Sequence, residues 1–547
     1  MTSAVAPHGL LHARSDNDTF WSTTNVGEAF PGILTPLGWS LCGPSVELGI
    51  RNCYARVGAL PRSEVRIPDR VEDRLISVFH GRGALNVNFF CRMGAHLPGT
   101  APDAIARQFL GELPPGIPTG KSRRRLPIVA VKTAYTQATI RRDVLRRTAD
   151  VLPWWRDQTA AADALDLPDA RRVLAEAHLR FREMIRVQAA GLFVAVQSVY
   201  DRFLALTDRA DLAPDHIAAL VAGHGDHAES GMITDLWALG RDQITLRDFL
   251  DVHGYHGPLE GELSARVWRE DPAPVLRLVE HYRSLDDSAD PVVAALARTQ
   301  ARRDAERALV RALPMRDRVH ARAVLAATAA RMPLRGVAKA SFLQAFDVAR
   351  AAARRMGTLM HEQRILADPD DIFFLTIDEL CTAMPRGITD LVDTRREQHR
   401  EYTTFTLPTH WRGTPPQVPI APVKPAAPVT TLCGIGASAG VVEARVRVLD
   451  DPGFADFAEP GEILVCRSTD PSWASVLFLS AALVVDVGGL LSHAAVVARE
   501  ISIPCVVGTG NGTRMLQTGD RVRVDGTAGT VEILFRASEL TSEAAHP

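Results

Sequence analysis

The sequence predicts a multidomain protein in which a large, mostly helical domain is followed by a compact α/β domain. Three observations support this fold class: the chain length, a proline-rich stretch, and a change of residue pattern across that stretch. At 547 residues the chain is too long for one hydrophobic core, so we expect two to four domains. Its 46% hydrophobic and 23% charged residues are typical of a soluble globular protein.

The part before the proline-rich stretch has the periodicity of helices. In residues 169–206, 303–332 and 339–366, apolar residues recur every three or four positions, and Ala, Arg and Leu dominate. Short stretches such as residues 74–90 look like strand instead. We therefore predict a mostly helical domain over residues 1–405.

The proline-rich stretch, LPTHWRGTPPQVPIAPVKPAAPVTT, covers residues 407–431. Prolines at this density disfavour helix and sheet and favour an extended, semi-rigid spacer. We expect a hinge linker over residues 406–431.

After the linker, short β-branched runs alternate with Gly, Asp and Pro, which indicates strands and turns. Two helical pieces, WASVLFLSA and AAVVAREI, lie between these runs. Residues 432–547 should therefore form a compact α/β domain.

Charge and cysteine usage exclude several classes of protein. The net charge of −2 and the pI near 6.8 give no basic field for nucleic acid or an anionic membrane, and the short run KSRRR (121–125) reads as solvated surface. We expect no secretory leader, because the first 20 residues lack a basic region followed by an apolar stretch, and no segment that spans a bilayer, which needs roughly 18 apolar residues. The seven cysteines form no CxxC pair, which suits free thiols in a reducing compartment. We expect a cytoplasmic protein.

One histidine near the C-terminus stands out by its surroundings. His493 follows a strand-like run, the pair Gly488 and Gly489, and Ser492, and it precedes a helical run. Ser492 is suited to cap that helix. A helix N-terminus holds phosphate and disfavours imidazolium, so His493 should be neutral and nucleophilic. The plainer alternative is a histidine that merely begins a helix beside a glycine turn.

The string GGLLSHAAVVAREISIPCVVGTG (488–510) resembles the phosphohistidine segment of the mobile domain in phosphoenolpyruvate-utilising enzymes. The resemblance implies that residues 432–547 are a swivelling domain and that His493 carries a phosphoryl group. It also implies that Gly488, Gly489, Ser492 and Arg499 bind the phosphate. The matching positions are Gly488, Gly489, Ser492, His493, Ala495, Ala498, Arg499 and the run IPCVVG. The glycines at 434, 436 and 440 loosely suggest a dinucleotide loop, but a strand pattern follows them where a helix is required.

The N-terminal part is similar to the helical, antibiotic-binding domain of the rifampicin phosphotransferases. The similar stretches include WSTTNVGEAFPGILTPLGWS, FLDVHGYHGPLEGELSARVWREDP and LRGVAKASF. The resemblance implies that residues 1–405 bind the substrate, with Asn25 and Glu28 among the binding residues. It also implies that Arg335 and Lys339 assist catalysis, although the acidic residue of the family segment is replaced by Gly336.

The stretch HGYHGPLEGE and the sequence HGDH bring together histidines and carboxylates that suggest either a metal site or a substrate pocket. His224 and His227 belong to HGDH. Spacing of three residues without a helix is weak support for zinc, so we prefer a substrate pocket and predict no metal. In this pocket, a titratable His256 serves as general acid or base, and the residues that contact substrate are His253, Glu260 and Glu262.

Full-length relatives also contain an ATP-grasp domain that charges the histidine, and the sequence has no P-loop or comparable segment. We therefore expect no cofactor on this chain, and ATP with Mg²⁺ on a separate ATP-grasp protein. Three hypotheses follow: transfer of the phosphoryl group to a hydroxyl of a small, lipophilic molecule; dehydration of such a hydroxyl; and a non-catalytic remnant that binds ligand.

Overall fold

The computed structural model divides the chain into two compact units. Unit 1 comprises Met1–Ala195, Leu259–Ala265 and Val337–Ala421, and unit 2 comprises Val196–Pro258, Arg266–Gly336 and Pro422–Pro547. The structure describes residues 9–24, 26–97, 100–122, 124–210, 212, 214–221, 227–382, 384–419, 430–449, 459–469, 473–489 and 492–537.

Helices make up most of the chain before the proline-rich stretch, as predicted. In chain order they are α1 (Val26–Ala29), α2 (Pro36–Arg56), α3 (Val87–His96), α4 (Pro102–Leu110), α5 (Leu126–Thr148), α6 (Val151–Ala161), α7 (Leu167–Ala190), α8 (Gln197–Thr207), α9 (Pro214–Val221), α10 (His227–Gly240), α11 (Leu246–His253), α12 (Ala273–Ser284), α13 (Pro291–Ala312), α14 (Met315–Arg331), α15 (Leu334–Glu362), α16 (Ile377–Cys381), α17 (Ile388–Tyr402), α18 (Ala474–Leu477), α19 (His493–Ile501) and α20 (Gly512–Met515). A π-helical turn, Gly191–Val196, joins α7 to α8.

The strands are concentrated after residue 430. They are β1 (Phe20–Ser22), β2 (Ile76–Phe79), β3 (Arg82–Asn86), β4 (Phe405–Thr406), β5 (His410–Arg412), β6 (Val418–Pro419), β7 (Thr431–Cys433), β8 (Ile435–Ser438), β9 (Val441–Leu449), β10 (Ile463–Cys466), β11 (Ala482–Val485), β12 (Cys505–Val507), β13 (Arg521–Asp525) and β14 (Thr530–Phe535). The predicted fold class, a large helical part with an α/β region near the C-terminus, is confirmed.

Unit 1 combines a small antiparallel sheet, in the order β2-β3-β1-β5, with helices. Trp21 on β1 is fully buried, and its ring meets that of Phe79 edge-on at 5.1 Å between centroids. Helices α2 and α7 pack closely at Gly49, where an added Cβ would lie 2.8 Å from Cγ2 of Ile185. A glycine is therefore needed for these two helices to approach this far.

A buried arginine joins three segments of unit 1. Arg350 on α15 donates from Nη1 to Asp347 Oδ1 at 2.9 Å, and Trp155 Nε1 donates to the other carboxylate oxygen at 2.8 Å. The same guanidinium donates to three backbone carbonyls of the segment 259–265, at 3.1 to 3.2 Å. The side chain of Arg350 is 1% exposed and that of Asp347 is 0% exposed, so each charge is stabilised by the other instead of by water. It thereby fixes the segment 259–265 against α15.

Unit 2 contains a sheet of eight strands in the order β7-β14-β13-β9-β10-β11-β12-β8. The pairs β9–β10, β10–β11 and β11–β12 are parallel, and the remaining pairs are antiparallel. Successive side chains of the parallel strands enter two different cores, since Leu464 and Cys466 join one cluster while Ile463 and Val465 join the other. Burial on both faces explains why these strands read as unbroken apolar runs in the sequence.

Helices of residues 227–284 share one of these two cores with the sheet. Leu236 and Trp237 of α10 and Leu278 of α12 belong to the same cluster as residues of β10, β11, α18 and α19. Tyr282 at the end of α12 stacks on Phe478, with ring centroids 5.7 Å apart. The helices of this region and the C-terminal sheet therefore form one continuous hydrophobic core.

The domain bounds that we predicted from the sequence, 1–405, 406–431 and 432–547, stay a prediction. The two compact units follow a different division, because the helices of residues 196–258 and 266–336 are grouped with the C-terminal sheet.

Part of the proline-rich stretch is strand, so our expectation that its prolines exclude sheet is wrong for this part. β5 pairs with β1, and its central residue Trp411 is 6% exposed. The three residues of β5 contain no proline, so each has an N–H group for pairing. Pro419 of β6 lies in a two-stranded sheet, where both strands are edge strands and a residue without an N–H group is tolerated. Residues 420–429 of the predicted hinge lie outside the described part of the chain.

One helical stretch, Leu167–Thr207, is long and apolar enough to cross a membrane by length and composition alone, which we had expected of no segment. Of its most apolar window, 56% is buried inside the protein, as in the core helix of a soluble protein.

We predict that Arg350→Met lowers the free energy of unfolding by about 3–5 kcal/mol, because the carboxylate of Asp347 stays buried without its cation. The measurement is urea unfolding followed by tryptophan fluorescence. Arg172→Met is the matched control: this arginine is 65% exposed and pairs with Asp169 on the surface, so its loss should cost less than about 1 kcal/mol. Equal losses in the two variants would contradict the prediction.

Candidate functional site

The candidate site lies where three parallel strands of unit 2 end side by side. Cys466 pairs with Val485, and Val485 pairs with Val507, so that β10, β11 and β12 terminate in register. The segments that follow these strands contain Thr469, Asp486 with His493, and Thr509. The carboxyl ends of parallel strands are where α/β sheets bind ligands.

His493 is the first residue of α19 and is 5% exposed. Its Nδ1 lies 3.1 Å from the hydroxyl oxygen of Thr469, a residue that is 2% exposed. A ring nitrogen engaged by a hydroxyl fixes the orientation of the imidazole. When Nδ1 carries the proton and donates to Thr469, the lone pair of the neutral ring is on Nε2. In that tautomer Nε2 is the nucleophilic atom.

Ser492 caps α19 as predicted. Its side-chain oxygen accepts a hydrogen bond from the Ala495 amide at 3.4 Å, and its backbone is extended. The helix ends at Ile501, and the next residue, Ser502, has a left-handed conformation with φ of 61°. His493 is the first of the nine residues of the helix and therefore lies at the positive end of the helix dipole.

The two glycines before the helix differ in what surrounds them. A Cβ on Gly488 would lie 3.0 Å from the Ser492 side-chain oxygen, so a side chain there would displace the capping serine. A Cβ on Gly489 would meet nothing within 4 Å. Gly488 is therefore needed for the cap, and Gly489 leaves open the approach to the turn. Their predicted role in phosphate binding stays a prediction.

Asp486, which the sequence analysis missed, fixes the segments after β11 and β12 to each other. Its carboxylate is 6% exposed and accepts hydrogen bonds from the Thr509 hydroxyl at 2.7 Å and the Thr513 hydroxyl at 2.5 Å. The amides of Gly512 and Thr513 donate to it as well. The signal in the sequence was an acidic residue that directly follows a buried strand, ALVV, and precedes the glycine turn.

Arg499 lies in the last turn of α19, where Nε donates to the backbone carbonyl of Ala437 on β8 at 2.8 Å. Six positions of helix place its Cα about 9 Å along the axis from His493. The observed contact joins α19 to the edge of the sheet, and the phosphate-binding role of Arg499 stays a prediction.

The histidines of HGYHGPLEGE occupy a buried aromatic cluster in unit 2. His253 ends α11, and its Nε2 lies 2.7 Å from a carboxylate oxygen of Asp235 on α10. His256 is 4% exposed and packs on the rings of Tyr255 and Trp268, at centroid distances of 4.2 and 5.7 Å. The sequence analysis did not single out Asp235, because it is distant from the histidines in the chain.

The two glutamates of the same stretch belong to unit 1. The Glu262 carboxylate is 5% exposed and accepts hydrogen bonds from the hydroxyl and amide of Thr35 and from those of Ser264. It thereby ties the segment 259–265 to the start of α2. Glu260 is also buried, and its backbone carbonyl accepts from Arg350. Their roles in substrate binding stay predictions.

Arg335 and Lys339 lie in the first two turns of α15, at positions that share one helical face, and both are partly buried. Their assistance in catalysis stays a prediction, and it is compatible with their positions on one face of the helix.

Asn25, His224 and the side chains of Glu28 and His227 lie outside the described residues. Within the described part of the chain, no three His, Cys, Asp or Glu residues come together as a group that could hold a metal ion.

Two family models match the chain. One, described as the mobile domain of PEP-utilising enzymes, matches residues 458–529 and thus contains the segment around His493. The other, described as the rifampicin phosphotransferase fourth domain, matches residues 194–336, which corresponds to the helices of unit 2.

Curated relatives agree with these matches. An uncharacterized protein of Mycobacterium tuberculosis is 29% identical over 549 residues, which cover 94% of this chain and 62% of the relative. Rifampicin phosphotransferase of Streptomyces sviceus is 30% identical over 60% of this chain and 39% of its own length. That of a Streptomyces species is 41% identical over 31% of this chain and 20% of its own length. This chain therefore spans less than two thirds of the curated relatives that it matches.

We predict that Asp486→Asn destabilises unit 2 by about 1–3 kcal/mol, because the amide nitrogen of Asn would face groups that only donate to the native carboxylate. Hydrogen exchange of the Gly512 and Thr513 amides should accelerate. Asp525→Asn is the matched control, since only one oxygen of Asp525 accepts, from the amides of Thr527 and Ala528, and the Asn oxygen can replace it. Unchanged protection in Asp486→Asn would contradict this role.

Proposed function

Since the chain carries the mobile domain of the PEP-utilising enzymes, we propose that it is a phosphotransferase that carries a phosphoryl group on His493 to a hydroxyl of a small molecule. The observation that supports this most directly is the setting of His493. A buried imidazole at the N-terminus of a helix has Nδ1 engaged by Thr469, and with the proton on Nδ1 the nucleophile is Nε2.

The chemistry follows from this setting. The Nε2 lone pair attacks the phosphorus of the donor, a P–N bond forms, and the leaving group departs with the former bonding pair. Thr469 keeps the ring oriented while the positive end of α19 stabilises the phosphoryl oxygens. In the second step a hydroxyl oxygen attacks the phosphorus, its proton passes to a base, and the P–N electron pair returns to Nε2.

We propose a lipophilic, hydroxylated molecule as the acceptor. Two of the relatives are named rifampicin phosphotransferase, and the match to the fourth domain of those enzymes covers residues 194–336 of this chain. The many Leu, Phe and Met residues of the helical part suit an apolar ligand. Rifampicin is therefore the first acceptor to test.

We further propose that a separate ATP-grasp protein binds ATP and Mg²⁺ and charges His493. This proposal is supported by the length of the relatives, since the 549 aligned residues of the Mycobacterium tuberculosis protein are 62% of its length and leave room in such a relative for a donor domain. Dehydration of the acceptor hydroxyl stays a second hypothesis, and the products distinguish it from transfer: an alkene with free phosphate instead of a phosphoester.

We predict an acid-labile mass gain of one phosphoryl group on the wild-type chain, measured by intact-mass spectrometry. The donors are ATP with Mg²⁺ and the ATP-grasp protein or, without any partner, phosphoramidate. His493→Gln should gain nothing. Thr469→Val should be charged about 5- to 10-fold more slowly, because the ring loses the hydrogen bond that orients it.

Thr469→Ser is the matched control, since it keeps the hydroxyl and should be charged at nearly the wild-type rate. Wild-type protein that gains no phosphate from either donor would rule out the proposed function. Equal rates for Thr469→Val and Thr469→Ser would rule out the role of the hydroxyl.

A further inference from the structure

We propose that Asp235 and His253 form the acid–base pair that removes the proton of the acceptor hydroxyl during phosphoryl transfer. In this proposal, which rests on the proposed function above, Asp235 is the positioning residue and His253 is the catalytic base, the role that the sequence suggested for His256.

The contact between these two side chains is short and largely shielded from water. Nε2 of His253 lies 2.7 Å from Oδ2 of Asp235, with 6% of the histidine side chain and 38% of the aspartate side chain exposed. The partners come from different helices, α10 and α11, so the pair depends on the folded structure of unit 2. Asp235 is thus held at the rim of the aromatic cluster, with the imidazole inside it.

The aspartate determines which ring nitrogen can accept a proton. A carboxylate only accepts hydrogen bonds, so Nε2 of His253 carries a hydrogen and donates to Asp235. The lone pair of the neutral ring is then on Nδ1. Among the residues that the structure describes, Nδ1 has no hydrogen-bond partner. A carboxylate that fixes the tautomer and leaves a basic nitrogen on the other side of the ring is the arrangement of a general base.

The residues around the Asp235–His253 pair belong to the same hydrophobic core as the residues beside His493. The rings of Phe249 and Trp268, which line the His253–His256 cluster, belong to one hydrophobic cluster with Ala494 and Ala495 beside His493. Both histidines therefore belong to unit 2, and its continuous core supports both. An acceptor bound at this cluster would be served by the domain that delivers the phosphoryl group.

Among the described residues, the titratable groups that face His253 are Asp235 on α10 and His256 in the turn after α11, and the ring of Phe249 packs against the imidazole at 4.9 Å between centroids. Burial lowers the pKa of His253, the hydrogen bond that it donates to Asp235 raises it, and His256 lowers it. The net effect is a pKa below the ordinary value of a histidine, so the ring is neutral, and can act as a base, at neutral pH.

The step balances as follows. The acceptor O–H gives its proton to Nδ1 of His253, and the oxygen forms a bond to phosphorus. The P–N bond to Nε2 of His493 breaks, and its electron pair stays on that nitrogen. His253 becomes an imidazolium that is stabilised by the Asp235 carboxylate, and it returns the proton to solvent.

The test separates charging of His493 from transfer. The full chain is charged with phosphoramidate, and the loss of its phosphoryl group to rifampicin and to a panel of lipophilic alcohols is followed from pH 5 to 9. With the alcohol that the wild type accepts best, His253→Gln should transfer about 10²- to 10⁴-fold more slowly, with normal charging of His493. Asp235→Asn should transfer about 10- to 100-fold more slowly.

The pH profile gives a signature that a structural role would not produce. In the wild type, transfer should rise with pH through the pKa of His253, because only the neutral ring accepts the proton. Asp235→Asn removes an interaction that raises this pKa, so the rise should move to lower pH while the plateau falls. Asp248→Asn is the matched control on α11: it removes a carboxylate that serves the capping box with Thr245, and transfer should keep the wild-type profile.

Charging of His493 at the wild-type rate shows that a variant is folded. If the wild type transfers but both variants match it within about threefold at every pH, the base is another group and the inference is overturned while the proposed function stands. If the charged wild type transfers to none of the hydroxyls, the proposed function is overturned, and the inference with it.

Discussion

The candidate site depends on one constraint: the parallel strands β10, β11 and β12 end at the same edge of the sheet. Since the three strands are parallel and in register, the segments after them emerge at one edge. Thr469 can reach His493 across 24 residues of sequence only because of this edge. Asp486 then joins the second and third segments, so that their first residues are fixed to each other. Gly488 is small because a Cβ there would meet the capping Ser492, whereas the space around Gly489 is open.

Unit 1 is organised by a different interaction, a buried charge that is surrounded by backbone carbonyls. Arg350 satisfies Asp347 and three carbonyls of the segment 259–265, and Glu262 of that segment in turn accepts from Thr35 at the start of α2. A segment that could have been a loose loop is thereby held in place by polar contacts out of water. Such contacts contribute more to a unique arrangement than to net stability, because desolvation offsets much of the attraction.

Sequence reasoning succeeded where the pattern is local. Apolar periodicity predicted the helices before the linker and the strands after it, and the order of glycines, serine and histidine predicted the capped helix at His493. It failed where partners are distant in the chain. The hydrogen bond of His253 to Asp235 and the role of Asp486 depend on packing of separate elements, which no spacing rule encodes. The short strand at His410–Arg412 was missed because prolines nearby outweighed three residues that can pair.

Burial of His493 affects the lifetime of a phosphoryl group on its ring as well as the orientation of the ring. A phosphoryl group on an imidazole is lost spontaneously to water, and this loss competes with every useful transfer. The side chain is sheltered by the edge of the sheet and by the helix that it begins, so few water molecules reach it. Under the proposed function, the shelter of His493 would therefore set the rate at which the phosphorylated protein loses its phosphoryl group to water, and with it the time available for transfer to an acceptor.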